Sequence, residues 1–236
     1  VQSAREKGIQ FNLNTEVVGV EKAGGELKVQ AEADGKEESF AADLVVHGAG
    51  RVPQIDELEL ETGIVDYNAR GIEVNEYYQS PSNPRVYAAG DAAASGAPLT
   101  PVATVEGHAV SANILEGNHE SVDYSYVAST AFTLPPIASV GMSQHAAEES
   151  GAEVKINYSE TGGWVTSRRV NEQFTGFKVI LEEDSGKILG AHLLGPHAGE
   201  VINLFGLAIK QGLTGDDLKG MIYSYPTSSS DINYMV

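Results

Sequence analysis

The sequence of 236 residues lacks cysteine, contains a single tryptophan, and has only 15 lysine and arginine residues against 33 aspartate and glutamate residues. Without cysteine, the chain can form no disulfide bond, thiolate nucleophile or cysteine-ligated zinc site. The formal net charge of −18 repels phosphate backbones and anionic lipids, so neither nucleic acid nor a membrane is an expected partner. No apolar run approaches the roughly 18 residues that a membrane span requires.

The acidic composition has two interpretations, which the sequence leaves open. It is typical of an ordinary acidic soluble enzyme, and it is also typical of adaptation to high salt, where the Debye length falls to about 3 Å at 1 M. The absence of cysteine is compatible with a reducing cytoplasm, and we expect a cytoplasmic location. The first residues have no secretory apolar region and resemble the end of a helix.

The chain is long enough for one large domain or two ordinary ones. We divide it into residues 1–53, 54–121 and 122–236. In the first segment, a helix over residues 3–7 ends at Gly8. Three runs that alternate apolar and polar residues then predict an antiparallel meander (15–20, 26–33 and 36–41), with turns at Gly24-Gly25 and Asp34-Gly35. The apolar run 43–47 predicts a buried strand.

The second segment contains two predicted strands and a helix. The strands cover residues 71–75 and 85–89, and the second strand ends at Gly90-Asp91. Thr100 is the predicted N-cap of the helix, with Pro101 at the first helical position and Gly117 at the end. Apolar residues on two faces predict that this helix is buried.

The third segment predicts an α+β domain, because its strands and helices do not alternate strictly. Five strand-like runs occur (131–134, 137–142, 153–158, 177–181 and 188–194). Two helices accompany them (143–150 and 198–211). The predicted class of the whole chain is therefore α/β and α+β.

Gly90-Asp91 is either an ordinary turn or a ligand-binding corner. Glycine allows the backbone to approach a ligand closely, and a carboxylate at the end of a strand can accept two sugar hydroxyl protons. The helix start nine residues later presents unpaired N–H groups and a positive dipole end (Thr100, Pro101, Val102, Ala103). A heterocycle that gains negative charge on reduction would be stabilised there.

The other motifs are weaker. Gly48-Ala49-Gly50 resembles a dinucleotide loop, but Pro53 occupies the position of the third glycine, so a turn is favoured. The six histidines show no metal-ligand spacing, and no metal site is expected. Arg168-Arg169 is a solvated pair or an anion site. Near the carboxyl end, Ser228 and Asp231 predict a helix N-terminal cap.

Seven stretches in order resemble the pyridine nucleotide–disulfide oxidoreductase family, which includes glutathione reductase, dihydrolipoamide dehydrogenase and mercuric reductase. They are DLVVHGAGRVP, RGIEVN, VYAAGDAA, LTPVATVEG, FTLPPIASVG, ILGAHLLGPHAGEVIN and YPTSSSD. The resemblance implies that residues 1–53 are the latter half of an NAD(P)-binding domain. Residues 54–121 would be the returning half of an FAD-binding domain, and residues 122–236 a dimerisation domain that forms a homodimer.

The resemblance also implies roles for individual residues. Asp91 would bind the FAD ribityl chain or its neighbouring phosphates, and the helix from Thr100-Pro101 would point at the flavin ring. Thr130 would lie near the nicotinamide of NAD(P)H, and Arg51 matches the arginine of the family motif GRxP.

Two departures from the family pattern stand out. The glycine-rich dinucleotide loops and the redox cysteine pair of the family would lie upstream, so we expect a carboxyl-terminal part of a longer enzyme that alone is inactive and binds FAD poorly. The family's acid–base histidine and its glutamate partner correspond to Tyr225 and Ser230. A phenol titrates near 10 and an imidazole near 6.5, so a tyrosine is a poor general base at neutral pH.

The predicted function is therefore part of an FAD-dependent NAD(P)H oxidoreductase that acts on a disulfide or another small-molecule acceptor. The alternative is a non-catalytic dimerisation or interaction module derived from that family. A third interpretation is a sugar- or nucleotide-binding protein that uses the surface around Asp91. The sequence specifies neither the electron acceptor nor the choice between NADH and NADPH.

Overall fold

Short helices and antiparallel sheets follow one another along the chain in the computed structural model, which describes residues 1–236. The chain divides into two units, residues 1–52 and residues 53–236. None of the helices combines the length and the hydropathy that crossing a lipid bilayer requires.

The first unit contains one helix and one sheet. Helix α1 covers Gln2–Glu6, and Gly8 follows it with a φ of +84°. The sheet has the order β1-β2-β3, with strands Thr15–Ala23, Glu26–Ala33 and Lys36–Ala42. Asp34 and Gly35 have φ angles of +50° and +72°, as a two-residue hairpin turn requires. The predicted meander is confirmed.

The predicted buried strand over residues 43–47 is wrong. This segment forms no strand, and Leu44 and Val46 are 76% and 80% exposed. A strand that is buried on both faces needs neighbouring strands, whereas the three strands of this unit pair only with one another. Ala31 is the one buried residue in the unit.

The second unit begins with little regular structure. Strands β4 and β5 cover Tyr67–Asn68 and Gly71–Ile72 and pair with each other, so only the first two residues of the predicted strand 71–75 are in a strand. The predicted strand 85–89 is wrong, because its backbone bonds to the loop residues Tyr78 and Ser80 instead of a neighbouring strand. One-turn 3-10 helices cover Asp56–Leu58 and Gly90–Ala92.

Helix α2 covers Thr100–Glu116, with Leu99 as its N-cap and Gly117 as its C-cap. The predicted cap at Thr100 is wrong by one residue, because the Leu99 carbonyl already accepts the N–H of Ala103 at 3.0 Å. The prediction of two buried faces is also wrong. One stripe is buried (Val102, Glu106, Ala109, Asn113), while apolar side chains elsewhere on the helix are exposed (Val105, Ile114, Leu115).

The rest of the second unit is an α+β arrangement, as predicted. Its five strands are β6 (Ser129–Ala131), β7 (Ile137–Gly141), β8 (Val154–Glu160), β9 (Gly176–Glu182) and β10 (Ile188–Leu194). They form one antiparallel sheet with the order β6-β7-β10-β9-β8. Strand β6 contains only the first residue of the predicted run 131–134. The helices are α3 (Gln144–Glu149), α4 (Val165–Arg169), α5 (Ala198–Gln211) and α6 (Gly215–Lys219), and a 3-10 helix covers Ser228–Tyr234.

Helix α5 provides most of the helical contribution to the core of this unit. Val201, Ile202, Phe205 and Ala208 are buried against the sheet, which is the helical spacing of a single apolar face. Burial of each large apolar side chain contributes about 1.5–3 kcal/mol. A separate, smaller cluster includes Ile55, Leu60, Val65 and Ile72 and supports the loops before α2.

Candidate cofactor-binding site

The structure brings the Gly90-Asp91 corner and the beginning of α2 together. Gly90 has a φ of +65°, and a Cβ atom added to it would lie 3.0 Å from the Cβ of Ala103. Only glycine allows the backbone to lie this close to the first turn of the helix. Asp91 is the next residue and is exposed.

The amino end of α2 has no side-chain cap. Leu99 makes no capping hydrogen bond through its side chain, and Pro101 has no N–H group. Thr100 and Pro101 are exposed, whereas Val102 is buried. The positive end of the helix dipole therefore faces solvent beside an exposed carboxylate, and it can stabilise negative charge on a ligand.

Sequence reasoning missed Glu106, whose side chain is fully buried (0% exposed) directly beneath this corner. One carboxylate oxygen accepts the N–H of Gly90 at 2.6 Å, and the other accepts the hydroxyl of Ser95 at 2.8 Å. Its position on the stripe shared with Val102 and Ala109 is the sequence signal that could have identified it, because a charged residue on a buried stripe needs specific partners.

Two tyrosines extend this buried polar cluster. Tyr124 donates a hydrogen bond to Glu106 at 2.5 Å, and the phenol oxygens of Tyr78 and Tyr124 lie 2.9 Å apart. Burial raises the pKa of Tyr124, and the hydrogen bond to Glu106 raises it further. Burial also raises the pKa of Tyr78. Both phenols therefore hold their protons more tightly than a tyrosine in water.

The remaining predicted cofactor residues lie elsewhere in the chain. Arg51 is exposed and belongs to the unit of residues 1–52. Thr130 lies in β6, and a Cβ atom on Gly199 would lie 3.2 Å from the Thr130 side chain. Thr130 is thus adjacent to the first turn of α5.

The segment near the carboxyl end separates the two residues that the resemblance assigns to the family's acid–base positions. Tyr225 is 74% exposed, whereas Ser230 is buried. The Ser230 hydroxyl donates to the Thr227 carbonyl at 2.6 Å, and the Thr227 hydroxyl accepts the Ser230 N–H at 3.2 Å. The cap is therefore formed by Thr227 and Ser230, and the predicted cap of Ser228 and Asp231 is wrong by one residue, since the helix begins at Ser228.

Helix α4 holds this segment in place. Thr166 donates a hydrogen bond to the Asp231 carboxylate at 2.5 Å, and the Arg169 guanidinium donates to the Pro226 carbonyl at 3.2 Å. Burial raises the pKa of Asp231, and the bond from Thr166 opposes that effect. One arginine of the predicted basic pair thus contacts the backbone next to Tyr225.

Comparison with known proteins places these features in a class. A sequence profile described as pyridine nucleotide-disulphide oxidoreductase matches residues 1–107, and the profile for the dimerisation domain of that family matches residues 127–236. The structure is similar to a HOCl-induced flavoprotein disulfide reductase from Escherichia coli, with a TM-score of 0.85 and 24% sequence identity. That match covers 99% of this chain and 52% of the other. The fold is that of a partial dinucleotide-binding region followed by an α+β dimerisation domain.

Two proteins with similar sequences support the same family. The chain is 47% identical over 180 residues to an uncharacterised 19.7 kDa protein in a mercuric resistance operon of Staphylococcus aureus, and the match covers 76% of this chain and all of that protein. It is 33% identical to a mercuric reductase of Staphylococcus aureus over 98% of this chain and 42% of the reductase. The chain belongs to the pyridine nucleotide–disulfide oxidoreductase family and spans less than half the length of that reductase.

Proposed function

We propose that this chain supplies the flavin-facing and dimerising part of an FAD-dependent oxidoreductase that passes electrons from NAD(P)H to a disulfide or another small-molecule acceptor. The observation that carries the proposal is the direct contact between the Gly90 corner and the first turn of α2, with an exposed carboxylate beside an uncapped helix start. Membership of the family supplies the class of reaction.

The residues at this corner fit a flavin. A bound flavin would supply the two-electron acceptor that protein side chains lack. The Asp91 carboxylate would accept hydrogen bonds from ribityl hydroxyls or lie near the neighbouring phosphates. The first turn of α2 (Thr100, Pro101, Val102, Ala103) would stabilise negative charge on the ring during reduction through its dipole and N–H groups. By the same resemblance, Thr130 would lie near the nicotinamide of NAD(P)H. Arg51, which belongs to the unit of residues 1–52, is a separate candidate for cofactor binding as the arginine of the motif GRxP.

Tyr225 and Ser230 occupy the positions of the family's acid–base pair, but their chemistry differs. A phenol is a poor proton acceptor at neutral pH, although it can donate a hydrogen bond. Ser230 is engaged with Thr227 and is not available to orient Tyr225. We therefore propose that the enzyme reduces disulfides weakly or uses another acceptor.

We further propose that the chain comprises three domain portions (1–53, 54–121 and 122–236) and forms a homodimer through the last one. Exposed apolar side chains in residues 122–236, including Phe132, Leu134 and Ile222, support such an interface, because their burial in a homodimer would remove apolar surface from water. The match to the family's dimerisation domain covers almost the same residues.

The alternative function is a non-catalytic dimerisation or interaction module. The tyrosine at position 225 favours it, because a phenol is a poor proton acceptor at neutral pH and thiol chemistry needs an acid–base partner. In that case the Asp91 corner would bind no flavin.

Equilibrium dialysis of the purified chain against FAD, measured by absorbance near 450 nm, separates the two functions. We expect weak retention of flavin that Asp91→Ala lowers at least tenfold, while the exposed control Asp184→Ala has no effect. Absence of retained flavin at millimolar FAD would favour the module. Stoichiometric flavin in the chain as purified would contradict the expectation of weak binding.

The acid–base proposal has its own test. In the flavin-loaded longer enzyme, Tyr225→His should increase turnover with disulfide substrates, because an imidazole accepts protons at neutral pH. Unchanged thiol-linked turnover would contradict the role assigned to position 225.

A further inference from the structure

Glu106 is a buried acid that the chemistry proposed above does not use. It lies in the middle of the buried stripe of α2 and is fully inaccessible to solvent. Removing a carboxylate from water costs free energy unless hydrogen-bond donors surround it. The donors around Glu106 therefore indicate what this residue holds in place.

Four donors contact the Glu106 carboxylate. Gly90 N–H donates to one oxygen at 2.6 Å. The Ser95 hydroxyl, the Tyr124 phenol and the Gly96 N–H donate to the other oxygen at 2.8, 2.5 and 3.4 Å. All four donors are neutral, and three of them belong to residues 90–96. The same short loop carries Asp91.

We propose that Glu106 is a positioning residue that fastens the loop 90–96 to α2 and so holds Asp91 at the amino end of that helix. The assignment of a flavin to this corner rests on the proposed function, whereas the attachment of the loop concerns this chain alone. An apolar side chain of similar size would fill the space, but it would remove the acceptor of the Gly90 and Gly96 N–H groups, whose residues are half-buried.

Side chains outside α2 also contact the loop 90–96. A Cβ atom on Gly96 would lie 2.5 Å from the Tyr124 ring, so the loop backbone contacts that ring directly. Because Tyr124 gives its proton to Glu106, its oxygen accepts the hydroxyl of Tyr78. The Arg70 guanidinium donates to the Ser95 carbonyl at 2.9 Å. Glu106 is the group that connects this loop to the helix.

Asn113 is a second buried polar residue on the stripe of α2 that contains Glu106. It is also buried, and its side-chain oxygen accepts the N–H groups of His119 and Glu120 at 2.9 and 2.8 Å. Its amide donates to the Tyr77 carbonyl at 3.1 Å. Asn113 thus fastens the segments at the other end of α2, and the loop 90–96 depends on Glu106.

The test is amide hydrogen exchange, measured by NMR on the full chain with two substitutions at one position. In Glu106→Leu, we expect exchange at Gly90 and Gly96 to accelerate at least tenfold, with strands β9 and β10 unchanged. The Gly90 and Gly96 N–H groups contact different oxygens of Glu106, and a glutamine has only one oxygen. In Glu106→Gln, only one of the two N–H groups should therefore lose its acceptor and exchange faster. Glu116→Gln, an exposed change on the same helix, should leave both rates within twofold.

Several outcomes would overturn the proposal. Exchange at Gly90 and Gly96 within twofold of the wild type in Glu106→Leu would do so, because a space-filling role is preserved by leucine. Equal acceleration by leucine and glutamine at both amides would also do so. If Glu106→Leu does not fold, Glu106→Gln decides alone, and protection of both amides in that variant overturns the proposal.

Dialysis against FAD on the same samples separates the attachment of the loop 90–96 from the binding of flavin at Asp91. A wild-type chain that retains no FAD while showing the expected exchange pattern contradicts the proposed function and leaves the loop attachment intact. Unchanged FAD retention in a Glu106→Leu chain with accelerated loop exchange overturns the positioning of Asp91. A tenfold loss of retention together with accelerated exchange supports both.

Discussion

Buried polar side chains determine the local geometry around α2. Glu106 and Asn113 occupy positions at which a helix usually presents apolar residues, and each accepts backbone N–H groups from loops. Burial and hydrogen bonds also change the pKa values of several tyrosines. Burial raises the pKa of Tyr78, Tyr124 and Tyr223, and the side-chain hydrogen bond with Glu61 raises the pKa of Tyr67. Such residues connect local chemistry to the pH dependence of folding.

Tyr124 provides a test at alkaline pH. Its pKa in the folded protein lies above the ordinary value near 10, so folded protein holds the proton more tightly than unfolded protein. Its contribution to stability is complete below pH 10 and declines as the pH rises beyond that value. Urea unfolding should show a shallower decline for Tyr124→Phe than for the wild type between pH 10 and 11.

At neutral pH, Tyr124→Phe should be less stable by about 1.5–3 kcal/mol, because a hydrogen bond to the buried carboxylate is lost. Equal slopes of stability against pH for the variant and the wild type would contradict the assignment. The exposed Tyr158→Phe serves as the control and should change neither quantity.

Asp231 provides a test of the pH dependence of stability at acidic pH. Burial raises its pKa in the folded state, so stability falls as the pH rises above about 4, where the carboxyl of the unfolded chain ionises. Asp231→Asn carries no charge and keeps an oxygen for the Thr166 hydroxyl. The urea midpoint of Asp231→Asn minus that of the wild type should therefore be more positive at pH 7 than at pH 3. A difference that does not change with pH, as expected for the exposed control Asp184→Asn, would be inconsistent with this cause.

Elements with a local sequence signal were predicted well. The alternating runs and Asp34-Gly35 predicted the meander of β1–β3, and the helix predicted over residues 198–211 coincides with α5. The run 43–47 failed because apolar composition does not specify which strands lie beside it. The burial of Glu106 was not predicted for a related reason. A charged residue within a helix is usually exposed, and the loop that donates hydrogen bonds to Glu106 is seen only in the structure.

Gly141 marks a close approach between two strands. It ends β7 with a φ of +73°, and an added Cβ atom would lie 2.3 Å from the Leu189 carbonyl oxygen. Gly151 has a similar φ of +80°, but an added Cβ atom would meet no atom within 4 Å. Gly151→Ala should cost about 1–2 kcal/mol for the backbone conformation alone, and Gly141→Ala should cost more. Equal unfolding free energies of the two variants would contradict the close contact.

At the scale of the whole molecule, the two units differ in how much apolar surface they bury. The unit of residues 1–52 buries one residue, whereas the unit of residues 53–236 contains two buried apolar clusters. Local opening is easier where few apolar contacts must be broken. Amide exchange should therefore be faster in β1–β3 than in β9 and β10, and comparable protection of both sheets would contradict the difference in burial.

The proposed function requires that the Gly90-Asp91 corner and the amino end of α2 together face a flavin. The most direct measurement is an NMR titration of the isotopically labelled chain with FAD, with ADP as the reference for the adenine nucleotide portion alone. We predict that FAD shifts the amide signals of Gly90, Asp91 and Val102 more than ADP does. FAD-induced shifts confined to other residues, or equal shifts with ADP, would contradict it.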